Sequence, residues 1–256
     1  MGEQGVWKKP GCLAIIAALS TLSVSVYAQG AGACESLPGH EVLTQALAEA
    51  VATESSGLNL EMWATLVDRD GVVCAVAFSG GDRGAQWPGS RVISAQKANT
   101  ANAFSLDGLA LSTANLYSAV QPGGSLYGLQ HSNPVDTGTA YAGPSRNHGN
   151  RNDPMVGKKI GGVNVFGGGL GLYSGGTIIG AVGVSGDTSC ADHMIAWRVR
   201  NNLMLDQLSG TVAGVSSDGN RPDNIIYDIA DGSSTGGFGH PRCINTGNEG
   251  DLPPVN

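Results

Sequence analysis

Positive charge is scarce in this sequence, which has 14 lysines and arginines against 21 aspartates and glutamates and a net charge of −7. A chain with this balance lacks the basic footprint of a nucleic-acid-binding protein. Long apolar runs are also missing after residue 28, which argues against a membrane-spanning helix in the remainder. The 40 glycines follow no G-X-Y repeat, so the collagen-like and disordered classes are excluded as well.

The first 28 residues have the pattern of a secretory signal peptide. Lys8 and Lys9 precede an apolar run from Cys12 to Val26, and the small residue Ala28 ends a stretch suited to cleavage by signal peptidase. The run is shorter than the roughly 20 apolar residues of a membrane anchor, and it contains serine and threonine. We therefore predict cleavage after Ala28 and a periplasmic or secreted protein. Its net charge becomes −8, because two lysines and one glutamate leave with the peptide.

Four cysteines remain after this cleavage, namely Cys34, Cys74, Cys190 and Cys243. An even number in an oxidising compartment predicts two disulfides, and three pairings are possible. The spacings are too wide for a C-x-x-C zinc or redox pair, and no C-x-x-C-H motif for covalent haem attachment occurs.

Apolar periodicity and turn residues predict the order of the secondary structure. One predicted helix contains residues 42–51, and three others cover 90–104, 112–120 and 189–208. Predicted strands cover 62–67 and 72–78 as a hairpin, then 163–166, 170–173, 177–184 and 225–229. The stretch 121–162 is rich in Gly, Pro, Asn and Ser, and loops of this length are usually lids, binding loops or oligomer contacts.

Strands joined mostly by tight turns, with helices between and after them, predict an α+β fold in which helices pack on an antiparallel sheet. A doubly wound parallel α/β sheet would need strand and helix to alternate throughout. We expect a single domain over residues 29–208, followed by an irregular C-terminal extension over 209–256.

Two segments carry a resemblance to a known family. Residues 90–104 read S-R-V-I-S-A-Q-K-A-N-T-A-N-A-F, and residues 178–192 read I-I-G-A-V-G-V-S-G-D-T-S-C-A-D after a G-G-V-N-V run at 161–165. They resemble the K-A-x-T-A-x-x-F helix and the G-G-V…G-A-x-G-V-S-G…D signature of the GlcG/HbpS-type haem-binding family, over about residues 40–205. The resemblance implies an antiparallel sheet of five or six strands, assembly into dimers or larger rings, and binding of haem or another cofactor. Some members are described as haem-degrading or as redox-linked haem sensors.

Lys97 and Thr100 share a helical stripe with the apolar Ile93 and Phe104. A lysine on such a stripe needs a partner, because burying an unpaired charge is costly. One interpretation is that Lys97 and Thr100 face a pocket and meet a haem propionate. The other is that Lys97 extends toward the surface and pairs with an aspartate or glutamate.

The turn at Ser185 and Gly186 ends a strand and precedes a helix whose first amides have no intrahelical partners. Such amides attract carboxylates, and the candidates are a propionate or the turn's own Asp187 or Thr188. The resemblance also implies that Asp192 occupies the family's acidic position in the first turn of this helix. There it orients the loop or stabilises the helix dipole.

Neutral imidazole is the commonest haem ligand. Among the five histidines, His193 lies one turn from Trp197 beside apolar residues, and it is the predicted iron ligand. The alternative for His193 is a packed core side chain. His40, at the start of the first helix, is the second candidate, while His131 and His148 lie in the long loop and would close over a ligand or simply be solvated.

These observations leave three functional hypotheses. The first is an exported protein that binds haem, or a related tetrapyrrole, without a covalent bond in a cleft or subunit interface. The second is an enzyme that degrades haem or acts on a small metabolite, and the third is a cofactor-free assembly or sensor module. A serine hydrolase and a P-loop protein are disfavoured, because the G-V-S-G-D and G-G-G-L-G runs lack the remaining residues of those motifs. We also expect a homo-oligomer, because the predicted helix 189–208 is apolar on two sides.

Overall fold

The computed structural model of the chain describes residues 1–2 and 34–256. The predicted signal peptide falls on residues outside this part, so its cleavage stays a prediction. None of the described helices combines the length and the apolar character needed to cross a membrane. Residues 34–256 belong to one structural unit. This unit includes residues 209–256, which we call the C-terminal segment.

The three longer predicted helices, the first hairpin and the strands around 170–184 form in the predicted order, and two short helices within the long loop add to them. The longer helices are α1 (His40–Ala52), α2 (Ser90–Phe104) and α5 (Ser189–Asn202), with the short α3 (Leu129–Ser132) and α4 (Thr137–Ala140) between the last two. The strands are β1 (Trp63–Asp68), β2 (Val73–Phe78), β3 (Gly169–Ser174), β4 (Thr177–Ser185), β5 (Ile229–Ala230) and β6 (Ser233–Ser234). One-turn 3-10 helices cover Thr113–Leu116, Ser118–Val120, Ser145–Asn147 and Glu249–Asp251.

The main sheet has the strand order β2-β1-β4-β3, and each neighbouring pair is antiparallel. Alternate side chains of β1 point to opposite faces. Leu66 packs with α1 and α5 on one face, and Trp63 packs with α2 on the other. Because both faces are covered, all six residues of β1 are buried. The predicted α+β antiparallel fold is confirmed. The sheet has four strands in place of the five or six that the resemblance implied, and the two-residue strands β5 and β6 form a separate pair.

The close approach of α2 to the sheet explains one glycine of the sequence signature. Gly183 in β4 faces α2, and a Cβ atom at this position would lie 1.9 Å from the carbonyl oxygen of Ser94. The facing residues of α2 are the fully buried Ala95, Ala98 and Ala101. Small side chains on both elements therefore let the helix backbone rest almost directly on the strands.

Four predicted elements differ in the structure. Residues 163–166 form no strand, because the amide of Asn164 donates to Thr100 Oγ1 and the amide of Phe166 to Asn164 Oδ1, in place of a ladder. The helix predicted to reach residue 208 ends at Asn202, just before Met204 adopts a φ of 55°. Residues 225–228 are not a strand either, since the amide of Ile225 donates to a histidine side chain. Residues 112–120 form two 3-10 turns where one short helix was predicted.

Two disulfides are present, as predicted from the cysteine count. Cys34 pairs with Cys74 in β2, and Cys190 in the first turn of α5 pairs with Cys243 near the C-terminus. The second disulfide spans 53 residues and ties the C-terminal segment to α5.

Two buried ion pairs hold the long loop and the C-terminal segment against the helices. Arg91 in α2 donates through Nε to Asp153 Oδ2 at 2.7 Å, and the loop residue Asp153 is 2% exposed. Arg200 in α5 donates to both carboxylate oxygens of Asp223 at 2.7 and 2.9 Å. Removing one partner of such a pair leaves a buried charge without compensation, at a cost of about 3–5 kcal/mol. Both segments are thus firmly attached parts of the fold.

The C-terminal segment also covers the side of α5 on which the oligomer prediction depended. Trp197 Nε1 donates to the carbonyl of Pro253 at 2.9 Å. Met194 and Trp197 on one side of α5, and Ile195 and Val199 on the other, are at most 3% exposed within the single chain. The apolar sides of this helix are therefore buried without a second copy, and assembly stays a prediction.

Candidate functional site

The structure brings four of the predicted site residues together where α2 meets the start of α5, and we call Lys97, Ser185, Gly186 and Asp192 the Lys97 cluster. Lys97 Nζ donates to Asp192 Oδ2 at 2.6 Å and to the carbonyl of Val184 at 3.0 Å. Lys97 has no exposed surface and Asp192 is 2% exposed. Lys97 is thus paired with an acid, and its ammonium is enclosed in the interior, away from the surface.

The turn between β4 and α5 is occupied by a carboxylate from the chain itself. The amides of Gly186 and Asp187 donate to Asp192 Oδ1 at 3.0 and 2.9 Å, and Ser185 Oγ lies 3.4 Å from Asp192 Oδ2. Asp187 accepts from the amides of Leu58 and Leu60. The anion that the free amides of this turn predict is therefore Asp192.

Burial acts on both members of the Lys97–Asp192 pair. Desolvation lowers the pKa of the Lys97 ammonium and raises the pKa of the Asp192 carboxyl, while the attraction between the two groups opposes both shifts. The amides of Gly186 and Asp187 also favour the ionised carboxylate. Removing either partner would leave the other charge buried without compensation, so the pair joins α2 to α5 only while both side chains are present.

Thr100 lies one turn further along α2 and serves the backbone. Its Oγ1 donates to the carbonyl of Gln96 at 2.7 Å and accepts from the amide of Asn164 at 3.0 Å, and the side chain is fully buried. Thr100 therefore fastens the segment before β3 to α2.

His193, the predicted iron ligand, follows Asp192 in α5 and has no exposed surface. Its Nε2 accepts from the amide of Ile225 at 3.1 Å and lies 3.1 Å from Asn224 Oδ1. Its Nδ1 has no hydrogen-bond partner in the described part of the chain. Burial lowers the pKa of His193 to about 4, so the ring is neutral. Iron could reach Nε2 only if the segment around Asn224 moved away.

The other predicted histidine is separate from this cluster. His40 is half-buried at the start of α1, and its Nε2 lies 2.9 Å from the carbonyl oxygen of Gly149. His240, in the C-terminal segment, is occupied at both nitrogens: Nε2 lies 2.7 Å from Ser189 Oγ, and Nδ1 lies 2.7 Å from the carbonyl oxygen of Pro241.

An open cavity of about 510 Å³ lies elsewhere, on the α2 side of β1, and we call it the Trp63 cavity. Its lining residues come from β1, the loop before α2, the first turn of α2 and the long loop: Trp63, Asp82, Arg83, Gly84, Pro88, Arg91, Ser145 and His148. This volume is in the range of small-molecule and cofactor sites, about 300–1,000 Å³.

His148 is the one histidine that lines the Trp63 cavity. Its Nε2 is buried and has no hydrogen-bond partner among the described residues. Burial, followed by the charge of Arg91, lowers the pKa of His148. The sequence showed a histidine in a long loop, but it gave no sign that Asp153 would bring that loop onto α2.

A second open cavity of about 770 Å³ lies between residues 117–125 and 229–241. Serine, glycine and proline dominate its described lining, which includes neither a histidine nor a charged side chain. The polar side-chain groups that it offers are the hydroxyls of Tyr117 and of the lining serines and the amide of Gln121.

Comparisons with known proteins give one family match. A family model described as "Haem degrading protein HbpS-like" matches residues 40–200. Among solved structures, protein ORFY of Klebsiella pneumoniae is 28% identical, with 63% of this chain and 87% of that chain covered and a TM-score of 0.42. A complex of PduOC with haem is 25% identical, with coverage of 65% and 94% and a TM-score of 0.45. A double mutant of HbpS from Streptomyces reticuli is 15% identical, with coverage of 75% and 97% and a TM-score of 0.41. No curated protein matched the chain.

Proposed function

This chain belongs to the HbpS-like family of haem-degrading proteins, and from that membership we propose that it binds haem without a covalent bond. The observation that supports a place for haem is the Trp63 cavity. The interior of the Lys97 cluster is closed, whereas this cavity is open and of a suitable size.

The Trp63 cavity matches haem in size and in two of its lining groups. A porphyrin has apolar faces, two carboxylates and an iron that takes a neutral nitrogen ligand. The cavity has the indole of Trp63 in its wall and the exposed guanidinium of Arg83 for a propionate. Arg91 is already paired with Asp153, and the carboxylate of Asp82 in the same lining would repel a propionate. When bound, haem would supply a redox-active iron, and the protein would supply the position and the surrounding charge.

The contacts predicted for the Lys97 cluster need a different arrangement. A propionate would meet Lys97, Thr100 or the turn at Ser185 and Gly186 only if the cluster opened, because these side chains are enclosed. Those contacts, and iron ligation by His193 or His40, stay predictions. The present geometry favours a structural role, in which the Lys97–Asp192 pair joins α2 to α5 at the end of β4.

Haem degradation is the second candidate function, and the description of the family favours it. Degradation needs electrons and an iron position open to oxygen, and the sequence has no recognisable flavin or nicotinamide motif to supply those electrons. We therefore expect stoichiometric binding, with turnover only where an external reductant provides the electrons.

Export is proposed together with haem binding. The signal-peptide pattern of residues 1–28 supports it, and so do the two disulfides, since these persist in oxidising compartments. N-terminal sequencing of the protein recovered from the producing cells should begin at Gln29, whereas an intact Met1 end would contradict export by cleavage.

An absorption titration tests the proposed binding. Haemin added to the purified protein should produce a shifted Soret band that saturates at one haem per chain. The band should persist without reductant. A spectrum equal to the sum of free haemin and protein would reject haem binding, and loss of the band with iron release under a physiological reductant would favour degradation.

A further inference from the structure

The C-terminal segment brings a histidine and a cysteine against a cysteine of α5. We propose that Cys190, Cys243 and His240 form a zinc site in the reduced protein, and that the Cys190–Cys243 disulfide closes this site in the oxidised protein. Zinc binding at this place is independent of haem binding.

Three ligand atoms of the kind that zinc prefers lie together at the start of α5. The sulfur atoms of Cys190 and Cys243 and a ring nitrogen of His240 lie within 4.8 Å of one another, with Nδ1 at 4.0 Å from Cys190 Sγ. Two thiolates and one imidazole bind zinc in proteins and leave a fourth position for water. The two negative charges would also neutralise the ion in this buried place. Residues 240–243 read H-P-R-C, but Cys190 lies 53 residues from Cys243, so spacing does not indicate the full set.

The surroundings of His240 suit ligation through Nδ1. Its Nε2 lies 2.7 Å from Ser189 Oγ, and that oxygen accepts from the amide of Gly167 at 2.6 Å. With zinc at Nδ1, the Nε2–H would donate to Ser189 Oγ, the kind of hydrogen bond that orients zinc-bound histidines. The carbonyl oxygen of Pro241, 2.7 Å from Nδ1 and 3.6 Å from Cys190 Sγ, must turn away. Cleavage of the disulfide frees its segment to do so, and one neutral hydrogen bond is a small loss against three zinc ligands.

The disulfide can be opened by a dithiol through Cys243, whose side chain is partly exposed, whereas Cys190 is fully buried. Attack at Cys243 Sγ releases Cys190 as a thiolate in the first turn of α5, where the helix dipole stabilises negative charge. The second thiol of the dithiol then releases Cys243. The dithiol becomes a disulfide, and the chain gains two electrons and two protons. Zinc binding then displaces the two thiol protons to solvent.

The other disulfide lacks this stabilisation and serves as an internal control. A carboxylate oxygen of Asp68 lies within 4.8 Å of the sulfur atoms of Cys34 and Cys74, and a negative charge so close disfavours a thiolate. Asp68 also accepts from the amides of Cys34 and Val72, so its carboxylate is committed to the backbone. Cys34–Cys74 should therefore be harder to reduce and should form no zinc site.

Graded reduction tests the opening of the site. The protein is treated with increasing dithiothreitol, its free thiols are alkylated, and the labelled cysteines are identified by mass spectrometry. Cys190 and Cys243 should be labelled at lower dithiothreitol concentrations than Cys34 and Cys74. Equal lability of the two disulfides, or earlier reduction of Cys34–Cys74, would overturn the proposed opening.

A cadmium titration tests the ligands. Protein reduced at this disulfide and freed of dithiol under anaerobic conditions should bind one Cd²⁺ per chain, seen as sulfur-to-cadmium charge-transfer absorption, and excess Zn²⁺ should compete. The oxidised protein should bind none. His240→Ala should weaken Cd²⁺ affinity by about tenfold or more, equivalent to the loss of about 1.4 kcal/mol or more. His131→Ala, a matched change at an exposed histidine, should equal the wild type. Equal affinities in the two variants would overturn the assignment of His240.

Circular dichroism of the reduced protein distinguishes a failed site from a failed fold. Retained helix content makes the cadmium titration a direct test. If reduction unfolds the chain, Zn²⁺ should restore the helix content, because zinc that binds only the folded chain adds to its stability. A reduced chain that stays unfolded with Zn²⁺ would reject the site.

Discussion

Protonation of His193 should weaken the attachment of the C-terminal segment, and the size of the effect follows from its burial. The pKa of His193 is lowered to about 4 from 6.5, mainly by burial, with Asp223 raising it and Arg200 and His240 lowering it further. A group whose pKa is depressed in the folded state takes up its proton on unfolding. The free energy of unfolding should therefore fall as the pH drops from 6.5 to about 4, and then level off.

The magnitude is substantial for one side chain. The full pKa difference corresponds to about 3 kcal/mol, of which about 2 kcal/mol is reached at pH 5. Solvent does not screen the effect, because His193 has no exposed surface. The matched variant is His193→Gln, whose amide oxygen can still accept from the Ile225 amide but does not titrate.

Urea unfolding of both proteins at pH 7.5 and pH 5.0, with the disulfides intact, gives the comparison. Groups without a direct interaction with His193, such as Asp192, titrate in both proteins and cancel in the difference. The wild type should lose about 2 kcal/mol more than the variant between the two pH values. Equal pH dependences in the two proteins would refute the reasoning that His193 is buried, neutral and covered.

Three further predictions concern the disulfides, the buried pair and assembly. Thiol titration of the mature protein in denaturant without reductant should detect no free thiol, and two or more reactive thiols per chain would contradict the pairing. Asp192→Asn should lower the free energy of unfolding by about 3–5 kcal/mol, because it leaves the Lys97 ammonium buried without a partner. The double variant Lys97→Met, Asp192→Leu should lose less, and an equal loss would contradict the charge argument. Light scattering should report a homo-oligomer, and a monomer across micromolar concentrations would reject assembly.

Much of the fold could be predicted from the sequence because its signals are local. Helical periodicity gave α1 and α2, and the D-R-D-G turn gave the β1–β2 hairpin. The errors arose where side chains compete for backbone amides. The amides of Asn164 and Ile225 donate to Thr100 and His193, and no pattern within either segment indicates those partners.

The candidate site could be predicted only in part. An apolar stripe containing Lys97 correctly indicated that this lysine needs a partner, but Asp192 lies 95 residues away in the chain. The Trp63 cavity depends on contacts that the sequence pattern indicates even less clearly than the pairing of Lys97. Arg91 must meet Asp153 across 62 residues before His148 reaches the sheet, and spacing alone does not predict such a pair.

The position of the iron tests the central claim most directly. Crystals of the protein loaded with haemin, measured at the iron absorption edge, should show one anomalous peak per chain. We predict that this peak lies in the Trp63 cavity, with the C-terminal segment still covering His193. A peak beside His193, with Asn224 and Ile225 displaced, would contradict the account, and so would a peak at any other place outside the Trp63 cavity.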